Sequence, residues 1–205
     1  MDKYDLKKAH RTLYAPSARE FSRVEVPSFQ YLCVEGHGNP GTAVAYSQAL
    51  EALYSLSYSL KFESKNTLGR DYVVAPLEGL WWAENMDAFI TRDKDAWSWT
   101  MMITQPDWIT ATMVAEAAAK VGAKKELPGL NKLTFESMFE GLCVQILHHG
   151  SYDDEGPVLK RLHEHYLPEN LLQFNGKHHE IYLNDPRRTA PEKLKTILRQ
   201  PVRPL

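Results

Sequence analysis

The chain has little cysteine, little net charge and no long apolar run. Its 205 residues include two cysteines, and 24 Lys plus Arg stand against 26 Asp plus Glu, for a formal net charge of −2 with neutral histidines. This balance lacks the positive excess that direct nucleic-acid binding requires. The apolar stretches fall short of the roughly 18 residues that cross a membrane. We therefore expect a protein that binds neither nucleic acid directly nor a membrane.

The first residues also lack the features of an export signal. Residues 1–8 read Met-Asp-Lys-Tyr-Asp-Leu-Lys-Lys, with no apolar core of signal-peptide length. We therefore expect a soluble protein of the cytoplasm, in agreement with its 43% hydrophobic and 24% charged residues. Cys33 and Cys143 each lie in a short apolar run, which is typical of buried reduced thiols, and no disulfide is expected there.

The surroundings of the two cysteines resemble each other. Both follow the pattern Phe-x-x-Leu-Cys-Val and then reach a His-Gly turn, beginning at Phe29 in one case and at Phe139 in the other. The 110-residue offset is about half of the chain. This pattern predicts a duplicated unit of about 100 residues.

The residues after each cysteine predict the same order of elements in both halves. Helical spacing and aromatic or β-branched runs favour a helix and then two strands after each cysteine strand. The predicted helices cover residues 42–61, with Thr42 as the cap, and 153–166, with Pro168 as the stop; the predicted strands cover 72–77, 96–103, 178–183 and 196–199.

These elements predict an α+β fold of two βαββ repeats. The first repeat covers about residues 20–105 and the second about 138–205, joined by a helix at 107–121, within one domain of residues 1–205. Such a duplication places a pseudo-twofold axis between the repeats, and small molecules are commonly held in clefts of this kind. We therefore expect a ligand cleft at the axis.

Tryptophan is concentrated in one short stretch. All five tryptophans lie within the 28 residues from Trp81 to Trp108, the others being Trp82, Trp97 and Trp99. Alternation along a strand places Trp97, Trp99 and Met101 on one face, and adjacent Trp81 and Trp82 on opposite sides. Buried aromatics of the core explain this pattern as well as the walls of a ligand cavity do.

A carboxylate on a late strand is the second candidate feature. Alternation along His-His-Glu-Ile-Tyr-Leu at residues 178–183 places Glu180 and Tyr182 on one face. A strand glutamate is most often solvated, because burial without a partner is costly. In an aromatic cavity it attracts a cationic ligand or acts as a general base.

The sequence does not indicate a metal or a cofactor. Adjacent histidines, as at His148-His149 and His178-His179, point apart on a strand, and those of His163-x-His165 diverge on a helix. No phosphate loop, dinucleotide fingerprint or Gly-x-Ser-x-Gly motif is present. We therefore expect no metal site and no cofactor.

The chain resembles the GyrI-like small-molecule-binding domains over nearly its whole length. The resemblance rests on three segments, the Phe-x-x-Leu-Cys-Val strand ending in His149-Gly150-Ser151-Tyr152, the segment Glu180-Ile181-Tyr182-Leu183-Asn184-Asp185-Pro186, and the closing Leu198-Arg199-Gln200-Pro201-Val202-Arg203. It implies two βαββ units about a pseudo-twofold axis. In the drug-sensing members a buried glutamate on the late strand meets a cationic aromatic ligand in an aromatic cage, and Glu180 matches that position.

The resemblance is to a stand-alone member of the family. Residues 1–19 are too few for a helix-turn-helix segment. The segment Pro76-Leu77-Glu78-Gly79-Leu80-Trp81-Trp82 is similar to the cyclopropanoid cyclopropyl hydrolases, which open cyclopropane-bearing DNA-alkylating compounds. The resemblance therefore allows an enzyme that adds water to such xenobiotics.

That resemblance assigns roles to the candidate residues. The tryptophans, Met101 and Glu78 are candidate ligand contacts, Glu180 is a candidate base or water-positioning group, and Tyr72 or Tyr182 is a candidate donor for the developing phenolate. The partner is then a small aromatic molecule. Two alternatives stay open: a module that binds or sequesters ligands without turnover, and a protein-interaction module such as a gyrase modulator.

Overall fold

A computed structural model of the chain describes residues 3–85, 88 and 91–205, which form two compact units. Unit 1 consists of the described residues of Met1–Ala9, Phe29–Ala75 and Gly79–Met138. Unit 2 consists of His10–Ser28, Pro76–Glu78 and Phe139–Leu205. No helix among the described residues has the length and apolar character needed to span a membrane.

Strands and helices are both well represented among the described residues. The strands are β1 (Ser22–Val26), β2 (Phe29–His37), β3 (Leu77–Trp82), β4 (Ser98–Gln105), β5 (Leu133–Met138), β6 (Gly141–His149), β7 (Leu172–Phe174), β8 (His178–Tyr182) and β9 (Lys195–Pro204). The helices are α1 (Leu6–Ala9), α2 (Arg11–Tyr14), α3 (Val44–Leu68), α4 (Ala111–Lys124), α5 (Gly156–Arg161) and α6 (Leu167–Glu169), and a π-helical segment, Leu162–Tyr166, joins the last two.

Unit 1 is built on the central strand β2. It pairs antiparallel with β4 and with β5, so that Leu32 lies opposite Ile103 on one side and Phe135 on the other. Helix α3 packs against β2, β4 and α4, and its buried face includes Leu53 and Leu56. Gly69 ends α3 in the left-handed conformation, with φ of 65°, and its amide donates to Ser64.

Unit 2 contains antiparallel strands in the order β1, β6, β9, β8, with β7 also paired to β9. One face of this sheet is covered by apolar residues of the π-helical segment and α6, which pack on Val144 and Val202. Because opposed residues of an antiparallel pair share a face, the register continues this covered face from Ile146 through Leu198 to Glu180.

The fold class predicted from the sequence is confirmed as a mixture of helices and antiparallel strands. The predicted order strand, helix, strand, strand occurs as β2-α3-β3-β4, whereas in the second half β6 and the helices α5 and α6 are followed by three strands, β7, β8 and β9. The two cysteines are free and buried, as expected. β1 precedes the first of these runs in sequence yet pairs with β6 in unit 2.

Three predicted boundaries were wrong. Residues 72–77 are not a strand: Tyr72 makes one isolated bridge to Tyr4, and β3 begins only at Leu77, after Pro76, which has no backbone N–H to donate. Helix α3 begins at Val44 and not at Thr42, because the Thr42 amide donates to the Asn39 carbonyl in the preceding turn. The helix also continues beyond its predicted end, to Leu68.

The second predicted helix is interrupted and then continues past its expected stop. Residues 152–154 form a 3-10 turn, and α5 begins at Gly156. Pro168 does not end the helix, because it occupies the first turn of α6, where its missing N–H is not required.

Candidate functional site

Strand β8 carries polar side chains on both of its faces. The predicted alternation is seen: His179 and Ile181 are buried, whereas His178, Glu180 and Tyr182 are partly buried on the other face. The second set lies on the face covered by the helical segments of unit 2, since Glu180 is opposite Leu198 in the register. The two faces have different chemistry and are described in turn.

On the covered face, Glu180 is surrounded by groups that constrain it. Tyr182 Oη donates a hydrogen bond of 2.7 Å to Glu180 Oε2. The ring of Tyr152 meets the ring of Tyr182 edge-on, with centroids 5.5 Å apart. His178 Nε2 lies 3.6 Å from Glu180 Oε1, and the side chains of this histidine and glutamate are 15% and 14% exposed. We call Tyr152, Glu155, His178, Glu180 and Tyr182 the acid site.

Glu155, which immediately precedes α5, is the buried member of the acid site. Burial raises the pKa of its carboxyl well above the usual value, and the negative charge of Glu180 and hydrogen bonding to that residue raise it further. Burial and the neighbouring charge of Glu180 therefore both favour the protonated form of Glu155. Two carboxyl groups arranged in this way supply one proton donor and one proton acceptor.

Buried polar atoms in the acid site lack protein partners. Within the described ranges, neither Glu155 Oε1 nor either ring nitrogen of His178 has a hydrogen-bond partner, although all three atoms are buried. Each such atom costs about 1–3 kcal/mol when it is left unsatisfied. Their occurrence in one small region is typical of a site that binds a polar ligand group or water.

The opposite face of the sheet holds a buried ion network. His179 donates from Nε2 to Glu78 Oε2 and from Nδ1 to Glu140 Oε1, both at 2.9 Å. Arg199 Nη1 donates to Glu140 Oε2 at 3.3 Å. Tyr14 Oη donates to Glu78 Oε1 at 3.2 Å. We call these five residues the ion network.

The charges of the ion network balance inside the protein. Burial alone disfavours the imidazolium, but the negative charge of Glu140 and hydrogen bonds to Glu140 and Glu78 raise the pKa of His179 to about 9. Burial opposes ionisation of Glu140 as well, but the positive charges of His179 and Arg199 hold the pKa of this glutamate below its usual value. Glu78, a candidate ligand contact in the sequence, is committed to this network; its ligand role stays a prediction.

The candidate tryptophans belong to unit 1, where four of them lie near the end of β3 and the start of β4. Trp81 contacts Trp97 and Tyr46, with centroids 5.8 and 6.3 Å apart, and Tyr46 meets Trp99 edge-on at 5.2 Å. Trp99 is fully buried, as is Met101, and Trp99 Nε1 donates to the Gly38 carbonyl. Of the adjacent pair, Trp81 is buried and Trp82 is half-buried.

The fifth tryptophan forms a second aromatic group in unit 1. Trp108 lies edge-on to Tyr4 and Tyr72, the guanidinium of Arg70 stacks 3.8 Å from its ring, and its Nε1 donates to Ser64. Tyr72 Oη donates to Gln105 at 3.3 Å, and burial raises the pKa of the Tyr72 hydroxyl. The tryptophans, Met101 and Tyr72 remain predicted ligand residues, several of them with packing roles.

Sequence reasoning identified Glu180 and Tyr182 but missed Glu155 and His178 as partners. The sequence predicts residues 153–166 only as a helix, and it presents His178 only as half of a divergent pair. Among the described residues no cluster of three or more His, Cys, Asp or Glu side chains has the arrangement to hold a metal ion. A cavity of about 480 Å³ in unit 1 is lined by His37, Glu84, Asn85, Ala88, Thr91, Asp93, Ala96 and Ser98.

Known proteins share both the sequence pattern and the fold. The pattern of the GyrI-like small molecule binding domain matches residues 19–203. An uncharacterized conserved protein of Listeria innocua is 38% identical, with a TM-score of 0.90, and the match covers 98% of this chain and 100% of that one. A hydrolase of Listeria innocua is 34% identical over the same shares, with a TM-score of 0.86.

More distant structures share the fold alone. The C-terminal domain of EcmrR is 11% identical, with a TM-score of 0.57, and the match covers 91% of this chain and 98% of that domain. No protein of curated function matches the chain. Since the family pattern spans most of the sequence and relatives 34% and 38% identical align over nearly all of it, the chain belongs to the family of GyrI-like small-molecule-binding domains.

Proposed function

We propose that this GyrI-like protein acts in the cytoplasm on planar aromatic xenobiotics and hydrolyses those that carry an activated cyclopropane. The observation that carries the proposal is the Glu180 carboxylate, which accepts a 2.7 Å hydrogen bond from Tyr182 and lies beside Glu155, a buried carboxyl whose pKa is raised by burial and by the charge of Glu180. The hydrolase among the relatives supports the same class of reaction.

The reaction requires little beyond this pair. A water oxygen bonds to the cyclopropane CH₂ carbon while the ring bond to the spiro carbon breaks. The electron pair of that bond enters the dienone, whose oxygen becomes a phenolate. Glu180 accepts the proton of the attacking water, and the phenolate is protonated afterwards, so that the sum is the addition of one water.

The surroundings of Glu180 suit this role. Tyr182 holds one carboxylate oxygen by its 2.7 Å hydrogen bond, which fixes the orientation of the base toward a bound water. Tyr152 is partly exposed beside Tyr182 and provides an aromatic edge for a planar ligand. A general base that is positioned in this way contributes about 10²–10⁴-fold to the rate.

The test is turnover of a cyclopropane-bearing dienone at one-hundredth of its concentration, followed by mass spectrometry. We expect many equivalents of water adduct from the parent protein and at least about 10²-fold less from Glu180→Gln. Glu164→Gln is the matched control, because Glu164 is an exposed carboxylate of the same unit. Equal turnover by Glu180→Gln would show that this glutamate is not the base.

A second candidate function is capture of aromatic cations without chemistry. The observation that favours it is the combination of the Tyr152 and Tyr182 rings with the Glu180 carboxylate, since aromatic faces and carboxylates both attract cations. This function predicts stoichiometric binding of a lipophilic aromatic cation, measured by calorimetry. With the cyclopropane-bearing dienone, this function predicts that free dienone decreases by binding alone, until about one equivalent per protein molecule is taken up.

A further inference from the structure

His178 is the one member of the acid site whose polar atoms are buried yet have no hydrogen-bond partner on either side of the ring, within the residues that the structure describes. Its Nε2 is 3.6 Å from Glu180 Oε1, beyond the range of an N–H···O hydrogen bond. A neutral imidazole has one donor nitrogen and one acceptor nitrogen. The ring is therefore able to donate to a group that is not part of the protein.

The hydroxyl groups named as donors from the sequence are already engaged. Tyr182 Oη donates to Glu180 at 2.7 Å, and Tyr72 Oη donates to Gln105 at 3.3 Å. Hydrogen bonding to Glu180 contributes to the raised pKa of Glu155, so this carboxyl is engaged with Glu180 as well. The N–H of His178 is a buried donor of the acid site with no partner among the described residues.

The position of His178 matches this role. It is two residues before Glu180 on the same face of β8, so both side chains project toward the helical cover. The cover at this point is the π-helical segment, an irregularity that often occurs at functional sites. Its residue His163 lies near His178, and proximity to that second imidazole contributes to a lowered pKa of His163 after the larger effect of burial.

We propose that His178 donates a hydrogen bond to the oxygen of the bound ligand, and that in the dienone reaction this oxygen is the one that becomes the phenolate. The inference rests on the proposed function of the acid site. His178 donates a hydrogen bond and keeps its proton, while the water proton moves to Glu180. A donor aimed at developing negative charge stabilises the transition state more than the ground state.

The charged and titratable groups around His178 come from three elements. Glu180 lies on its own strand, Glu155 precedes α5, and His163 lies in the π-helical segment. The carboxylate of Glu180 lies 3.6 Å from the imidazole, whereas the environment of Glu155 favours its neutral form. A carboxylate beside the ring is compatible with an N–H donor at a ring nitrogen of His178.

The test compares His178→Phe, which keeps a ring without a donor, with His178→Gln, which keeps an N–H donor. With the dienone substrate we expect His178→Phe to lose about 10²–10³-fold in kcat with little change in KM. His178→Gln recovers part of this loss. His149→Gln, an exposed histidine on β6, is the matched control and keeps parental values.

A second measurement observes the contact directly in the parent protein and does not depend on turnover. The ring nitrogens of the eight histidines of the ¹⁵N-labelled parent are recorded by NMR with and without an unreactive dienone that has two methyl groups in place of the cyclopropane. We expect the His178 signals, assigned by their loss in His178→Gln, to shift on binding.

The outcomes separate the inference from the proposed function. If Glu180→Gln loses turnover while His178→Phe keeps it, or if the bound dienone leaves the His178 nitrogens unchanged, the inference is wrong and the proposed function stands. If the parent neither turns over nor binds any dienone, the proposed function fails and the inference fails with it. A parent that binds without turnover supports the inference when the His178 signals shift.

Discussion

His179 and Glu78 form a 2.9 Å hydrogen bond in which neither side chain is exposed to solvent. The next residue after this histidine, Glu180, points to the opposite face of β8 and into the acid site. One strand therefore carries a buried charge on one face and a carboxylate of the acid site on the other. The first stabilises the strand that presents the second.

Stability should fall as the pH rises through the pKa of His179. The folded-state pKa of about 9 lies above the ordinary value of 6.5, so the stabilisation is complete below pH 6.5 and is lost between 6.5 and about 9. The size of this shift corresponds to a few kcal/mol. Urea unfolding of the parent between pH 6 and 10 should show the decline.

The matched variants for this pH dependence are His179→Gln and His149→Gln. The first should be less stable at pH 6 and should lose most of the decline, because the buried imidazolium is absent. The second, an exposed histidine, should keep it. An unchanged decline in His179→Gln would show that another group titrates in this range.

Removal of one charge from the ion network should be costly. Glu140→Gln leaves His179 and Arg199 as buried positive groups without their shared acceptor, since both donate to Glu140. We expect a loss of about 3–5 kcal/mol in the free energy of unfolding, measured by chemical denaturation. The exposed pair of Asp185 and Arg187 is the control, and Asp185→Asn should cost about 1 kcal/mol or less.

Local patterns in the sequence predicted the features that depend on one strand alone. The alternation that separates Glu180 from His179 follows from the geometry of an extended chain and was correct. The partners of those residues depend on tertiary structure and were missed. Glu78 is 101 positions from His179, and no periodicity relates them.

The same distinction applies to the larger elements. The fold class followed from the repeated Phe-x-x-Leu-Cys-Val pattern, but the pairing of β1 with β6 joins residues more than 100 positions apart. The boundary errors have local causes that propensity does not capture, such as Pro76 before β3. The local sequence does not reveal the role of Glu155, because the negative charge that acts on it belongs to Glu180, on a strand distant in sequence.

The close contact of Gly36 with Trp99 makes a further prediction. These residues are opposed in the β2–β4 pair, and a Cβ on Gly36 would overlap the indole ring of the fully buried Trp99. Gly36→Ala should therefore destabilise the protein by about 1–3 kcal/mol in thermal or chemical unfolding. Gly156→Ala is the control: its Cβ would meet no atom within 4 Å, and we expect no loss. Equal stability of the two variants would contradict the packing argument.

Glu155→Gln should increase stability at a pH above the ordinary pKa of a glutamate. The raised pKa of Glu155 means that folding favours its protonated form, so stability is lost as the pH rises above the ordinary value of 4.5 and through the folded-state pKa. Glutamine has nearly the same shape and is neutral at every pH. The variant should therefore match the parent near pH 4 and become progressively more stable than the parent toward pH 8 in thermal unfolding.

Glu164→Gln, at an exposed site, should show no such divergence. A parental pH profile in Glu155→Gln would mean that Glu155 is ionised in the folded protein.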